Sequence, residues 1–146
     1  MTASSERVCA VDLGKVRVGV AVSDELGAMA HPRPALDGQN RKALLAGLSA
    51  LAEAEGITLF VVGLPVEMGG AEGPAAQRAL KFAEALANAT GRSVEVLDER
   101  LTTVEAARRI GEAGKRRRAQ QGEHRQRTSA AVLLQAWLDA RRGRAR

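Results

Sequence analysis

The stretch Asp12-Leu-Gly-Lys-Val-Arg-Val-Gly-Val-Ala-Val-Ser23 constrains this chain more than any other. An apolar run delivers a carboxylate to a glycine, and a second run follows at once in which Val16, Val18, Val20 and Val22 alternate with Arg17, Gly19 and Ala21. Period-two alternation is the mark of a strand with one face buried, and Gly14 permits a tight reversal. The segment therefore predicts a two-stranded hairpin, its first strand running from Arg7 to Val11, with an acid at its mouth. A carboxylate at the end of a buried strand is costly without a partner, and a metal ion or a phosphate-bound metal is the usual one.

A chain of 146 residues is expected to form a single domain, 1–146, and to bury about two thirds of the surface its unfolded form exposes. No stretch approaches the roughly 20 apolar residues needed to span a bilayer, so no membrane partner is expected. The opening Met-Thr-Ala-Ser-Ser-Glu-Arg has no charged start followed by an apolar core, so a secretory signal is not expected. The single cysteine, Cys9, lies inside the first strand, reads as a small core hydrophobe and fits a reducing compartment. The expected location is the cytoplasm.

Charge is unevenly distributed. From Arg108 onward the chain carries 12 of the 22 Lys and Arg against 3 of the 17 Asp and Glu, an excess of nine positive charges; the part before it has an excess of four negative ones. Lys115, Arg116, Arg117 and Arg118, then Arg125 and Arg127, then a basic C-terminal tail from about residue 139 form the footprint expected for a polyphosphate partner. With two Phe, one Trp and no Tyr, the chain lacks aromatic platforms for stacking bases, so a nucleic acid has to be held by its backbone.

Further along, elements alternate. Residues 26–36 contain Pro32 and Pro34, so a third strand there is an edge strand or irregular, with His31 as a surface residue. Arg41 to Glu55 has helical periodicity with Gly56 in the C-cap position. The apolar run Ile57–Val62 suits a strand covered on both faces. Pro74 opens a helix ending at Thr90, and Ser93–Leu97 is another strand, followed by Asp98 and Glu99. Thr102 to Glu105 has the form of a capping box for a helix reaching Gly111 or Gly114, and the segment from Gly114 to about Glu123 is expected to be mobile. A last helix begins near Thr128, with Trp137 as a core anchor.

This order predicts a mixed α/β fold: an antiparallel hairpin followed by parallel crossovers, helices on both faces, and strand C-termini gathered at one edge where such sheets place their ligands. That edge collects Asp12, the Gly63-Leu-Pro65 loop and the Asp98-Glu99 pair. Carboxylates from separate strands at one site call for a cation, and oxygen ligands suit Mg²⁺ or Mn²⁺.

Four ordered blocks carry a family resemblance. They are Asp12-Leu-Gly-x-x-Arg17-Val-Gly-Val-Ala-Val-Ser-Asp24; Val61-Val-Gly-Leu-Pro65-x-x-Met68-x-Gly70-x-Glu72-Gly-Pro74; Asp98-Glu-Arg-Leu-Thr-Thr103-x-Glu105-Ala; and Ala130-Ala-x-x-Leu-Gln135-x-Trp-Leu138. Together they resemble the YqgF/RuvX family from about Arg7 to Leu138. The resemblance implies a ribonuclease H-like fold with a mixed five-stranded sheet, a Holliday junction resolvase ancestry, and a role as a nuclease completing the 5′ end of 16S ribosomal RNA. It also implies that Asp12 bridges two metal ions and that Glu99 is a further ligand. Asp98 is the weaker ligand candidate, because adjacent strand residues point to opposite faces. Arg17 and Arg100 are candidates to hold phosphate, with pairing to nearby carboxylates as the alternative; Thr102 and Thr103 read as a helix cap.

The chain departs from the family pattern at Gln126, where an aspartate is expected at the start of the last helix. An amide can coordinate an ion through its oxygen but cannot act as a base. Glu123, three residues earlier, and the neighbouring His124 are the candidates to compensate. Glu67 and Gly69 also stand where the family tends to have Asn and Asp. Three functions follow from different classes: a divalent-metal nuclease on RNA, with branched DNA in repair and recombination as the variant substrate; an actin-like phosphotransferase, for which a second lobe is missing; and a non-catalytic RNA-binding assembly factor. A monomer and a homodimer are both compatible with the sequence, a junction resolvase normally needing two symmetric sites.

Overall fold

The computed structural model describes residues 6–14, 16–64, 73–98 and 125–145. Its elements are β1 (Arg7–Asp12), β2 (Arg17–Ser23), β3 (Ala30–Asp37), α1 (Arg41–Glu55), β4 (Ile57–Leu64), α2 (Pro74–Thr90), β5 (Ser93–Asp98) and α3 (Arg125–Ala145). The capping-box helix, the basic Lys115–Arg118 segment and the Val66–Glu72 part of the loop after β4 lie outside the described residues.

The five strands form one sheet in the order β3-β2-β1-β4-β5. The predicted hairpin is β1 against β2, antiparallel, with Asp12 opposite Gly19. β1 pairs with β4 and β4 with β5 in parallel, so the C-terminal ends of β1, β4 and β5 share one edge, with Val11 beside Val62 and Leu64 beside Asp98. The expected mixed sheet with an antiparallel hairpin and helices on both faces is what the chain forms.

Strand alternation divides the core in two. Cys9 and Val11 of β1 pack with Leu44 and Leu48 of α1 and Phe82 and Leu86 of α2. Val8 and Ala10 face the other way, onto Ala130, Leu134, Trp137 and Leu138 of α3. Each fully buried leucine or phenylalanine contributes about 2 kcal/mol, so a one-residue slip of β1 would exchange both cores at once. The helices end as their sequences dictate. Asn40 caps α1 by accepting from the Ala43 N–H at 3.0 Å, and Gly56 closes it in the left-handed region, at φ 67°.

β3 is an edge strand, as its two prolines predict, and its pairing with β2 shifts register between Arg33 and Leu36. Pro32 and Pro34 have no N–H, and Ala30, of the same parity, donates its N–H to Gln135 Oε1 at 2.9 Å. Alternate positions of this edge thus offer an incoming strand no donor, which protects it from sheet extension.

α3 starts at Arg125, three residues before the expected Thr128, and continues through Ala145, so most of the expected basic tail is helix. Arg141 ties that end down. It forms an ion pair with Glu6 at 2.8 Å, and its guanidinium lies 4.7 Å from the centroid of the Trp137 ring. Glu6 precedes β1, so α3 runs antiparallel to it. From Arg141 back to Gln126 the helix covers about 22 Å, and from Glu6 to Asp12 the strand covers about 20 Å. The first turn of α3 is therefore level with Asp12.

Candidate nuclease site

Asp12 ends β1, the middle strand of the sheet, and is half-buried. It shares the parity of Val8 and Ala10, which places it on the α3 side of the sheet. β5 lies two strand spacings away, about 10 Å. On β5, Leu97 packs in the α3 core and Glu95 accepts from Trp137 Nε1 at 3.2 Å, whereas Val94 and Val96 belong to the α1–α2 core. The backbone position of Asp98 has the parity of Val94 and Val96, opposite to that of Asp12. Gln126 occupies the row of helix positions that continues through Ala130, Leu134 and Leu138, the row facing the sheet. Three sequence candidates, Asp12, Asp98 and Gln126, thus belong to elements that converge at one edge, together with Arg125 and Arg127 at the start of α3. Glu99, Arg100, Lys115, Arg116, Arg117, Arg118, Glu123 and His124 lie outside the described residues.

The hairpin mouth is held from below by a residue that sequence reading did not single out. Gly38, just after β3, donates its N–H to the Val16 carbonyl at 2.7 Å. A Cβ there would lie 3.1 Å from both the Gly14 carbonyl oxygen and Val18 Cγ2, and 3.3 Å from the Val16 carbonyl oxygen. Only glycine lets this loop approach the turn that presents Asp12. The signal was available in the dipeptide Asp37-Gly38, a turn signature. Asp37 Oδ1 accepts from the Gln39 N–H at 2.9 Å, forming the expected local turn.

Arg17 stands beside Asp37 in the β2–β3 pairing, and it is exposed. Among the described residues no carboxylate lies within ion-pair distance of it, so of its two readings the phosphate-holding one is left open by the geometry.

Other residues of the resemblance blocks build the scaffold. Asp24 sits at the far end of the sheet, where its Oδ1 accepts from the Ala28 and Met29 N–H groups at 2.8 and 3.3 Å. Hydrogen bonding from Ala28 chiefly holds its carboxyl below the ordinary aspartate range. Gln135 clamps α3 to that turn: Oε1 accepts from Ala30 and Nε2 donates to the Ala28 carbonyl, both at 2.9 Å. Trp137 is the expected core anchor. Burial raises the Cys9 thiol well above its ordinary value and leaves it inert, as expected of a core residue.

Among the described residues no group of three His, Cys, Asp or Glu is poised to hold a metal. At the C-terminal edge of the strands Asp12 supplies a hard carboxylate oxygen of the kind that Mg²⁺ and Mn²⁺ take as a ligand.

This architecture defines the class: a ribonuclease H-like fold with its acid at the C-terminal edge of the central strand. RuvC of T. thermophilus, solved in complex with a Holliday junction substrate, superposes with a TM-score of 0.60 at 15% identity, covering 94% of this chain and 96% of that one. The fowlpox virus Holliday junction resolvase does so with a TM-score of 0.52 at 10% identity, covering 92% and 99%. Sequence narrows the class further. The RuvX family model, described as Holliday junction resolvase, matches residues 6–140, and the chain belongs to that family. A protein of Myxococcus xanthus (strain DK1622) named "Putative pre-16S rRNA nuclease" is 43% identical over 136 residues, 93% of this chain and 89% of the relative.

Proposed function

We propose that this hydrolase, a nuclease, cleaves RNA with Mg²⁺ or Mn²⁺ at the Asp12 edge and trims the 5′ end of precursor 16S ribosomal RNA in the cytoplasm. The observation that carries the reading is Asp12 itself: a carboxylate ending the central strand, on the face covered by α3, level with that helix's first turn. The name of the Myxococcus relative, a pre-16S rRNA nuclease, supports the choice of RNA.

In this reading Asp12 and Glu99 hold the metal. Glu99 directly follows Asp98 and shares the sequence parity of Glu95 and Leu97, the β5 positions turned toward α3. When bound, divalent ions supply Lewis acidity that generates hydroxide at neutral pH and stabilises the departing oxygen. The chain's own groups orient the substrate. Arg17 and Arg100 hold phosphate oxygens, while Lys115–Arg118, Arg125 and Arg127 retain the backbone by charge. Gln126 offers an amide oxygen at most, so the base or third charge falls to Glu123 or His124.

A panel of single-stranded RNA, duplex RNA, single-stranded DNA and four-way junctions, each with Mg²⁺, Mn²⁺ or chelator, tests the assignment. Chelator-sensitive RNA cleavage lost in Asp12→Asn is the expected result. The family's description as Holliday junction resolvase favours a branched-DNA resolvase as the second reading, and cutting confined to four-way junctions would replace the RNA assignment with it.

A further inference from the structure

The described cations differ in their partners. Arg7, Arg33, Arg92 and Arg141 each reach a glutamate at the end away from Asp12: Arg7 and Arg33 pair with Glu55, Arg92 with Glu53 and Arg141 with Glu6, while Lys81, midway along α2, is exposed and has no such pair among the described residues. At the Asp12 end, Arg17, Arg41, Lys42 and Arg78 are exposed and have no carboxylate within ion-pair distance among the described residues.

Arg41, Lys42 and Arg78 lie on the α1–α2 side of the sheet, whereas Arg17 shares the parity of Ala21 and so stands on the α3 side, at the hairpin mouth. Arg17 stands beside Asp37 in the β2–β3 pairing, and Arg41 follows Asp37 by four residues. The Arg41 guanidinium lies 5.2 Å from the centroid of the Phe82 ring, which fixes it against α2. Arg78 precedes Phe82 by one helical turn, on the same flank of α2. The helix dipole does not account for the cations on α1, because its first turn carries Arg41 and Lys42 and no acid, where the dipole favours the opposite sign.

We propose that Arg41, Lys42 and Arg78 form a second phosphate-binding strip, which carries the RNA strand from Arg17 at the hairpin mouth over the first turns of α1 and α2, on the side of the sheet away from α3. This rests on the nuclease reading and extends its substrate path. The strip recognises the sugar-phosphate backbone without reading sequence, as charge without aromatic platforms dictates.

Binding of a fluorescein-labelled single-stranded RNA, followed by anisotropy across a salt series in an Asp12→Asn background, tests the strip. Adding Arg41→Ala, Lys42→Ala and Arg78→Ala together should weaken binding and flatten the slope of log Kd against log salt by about 2, at about 0.7 per lost phosphate contact. Arg41→Lys in place of Arg41→Ala should recover one contact's share. Emission from Trp137, the sole tryptophan, verifies that each variant is folded. An unchanged slope in the folded triple variant, with wild-type protein cleaving RNA, overturns the strip alone. Wild-type protein that neither binds nor cleaves RNA overturns both the strip and the nuclease reading.

Discussion

The two ends of the sheet use the same side-chain types for opposite purposes. At the end away from Asp12, charge is consumed internally: Glu55 accepts from Arg33 at 2.8 and 2.7 Å and from Arg7 at 3.3 Å, and Asp24 is satisfied by backbone N–H groups of its own turn. At the Asp12 end the exposed Arg17, Arg41 and Arg78 have no carboxylate within ion-pair distance among the described residues. Charge pairs at the far end hold the fold; the cations at the Asp12 end carry charge that no described ion pair uses.

The sharpest way to break this comparison is to exchange one residue from each end. Asp12→Asn keeps the shape and removes the charge, so cleavage should fall about a thousandfold, the equivalent of several kcal/mol of lost metal-dependent stabilisation, with the unfolding midpoint hardly lower. Residual cleavage within tenfold of wild type would remove Asp12 from the chemistry. Glu55→Gln should do the reverse, leaving cleavage of the folded protein intact while costing about 1.5 kcal/mol in urea unfolding at neutral pH. The hydrogen bonds from Arg33 chiefly hold the Glu55 carboxyl below the ordinary glutamate value. Its stabilising contribution is therefore fully present above pH about 4.3 and is lost as pH falls through the lower folded value. The gap between wild type and Glu55→Gln should close in acid; a gap that stays constant down to pH about 3 would mean that the charge on Glu55 is not what stabilises the far end.

What the sequence revealed followed from local pattern. The hairpin could be read because period two, a glycine and an acid lie within twelve residues, and the converging strand ends followed from the order of elements. In the third strand Pro32 and Pro34 marked an edge with irregular pairing, but not its tie to Gln135, 105 residues from the Ala30 it caps. The same distance in sequence concealed the end of α3. A run of arginines reads as a solvated tail until Glu6 and the Trp137 ring are known to hold Arg141. At the site, the positions of Asp12 and Arg17 were legible from the hairpin, whereas the support from Gly38 was not, because it depends on a close approach between two loops.

Gly38 offers a smaller and more selective effect than either charge. In Gly38→Ala the new methyl meets backbone oxygens at 3.1 and 3.3 Å, so the loop or the hairpin turn has to shift by a few tenths of an ångström. Overpacking of this degree should cost about 1 kcal/mol. Because the displaced element presents Asp12, cleavage should fall several-fold at saturating RNA while RNA affinity is preserved. A loss of affinity with unchanged turnover would instead assign the hairpin mouth to binding.

The smallest effect is expected at the start of α3, and it decides whether the helix belongs to the chemistry at all. Gln126 lies in the row of Ala130 and Leu134, level with Asp12, yet an amide lends an ion only a neutral oxygen. Gln126→Ala should therefore lower cleavage less than about tenfold, and Glu123→Ala should lower it further if that glutamate supplies the charge the amide lacks. Gln126→Asp adds a carboxylate to a site already holding acids, where repulsion is relieved only by a cation, so its benefit should show at limiting Mg²⁺ and vanish at saturation. If all three variants match wild type across the Mg²⁺ titration, α3 contributes packing through Leu134, Trp137 and Leu138 alone, and the catalytic end of the sheet is complete without it.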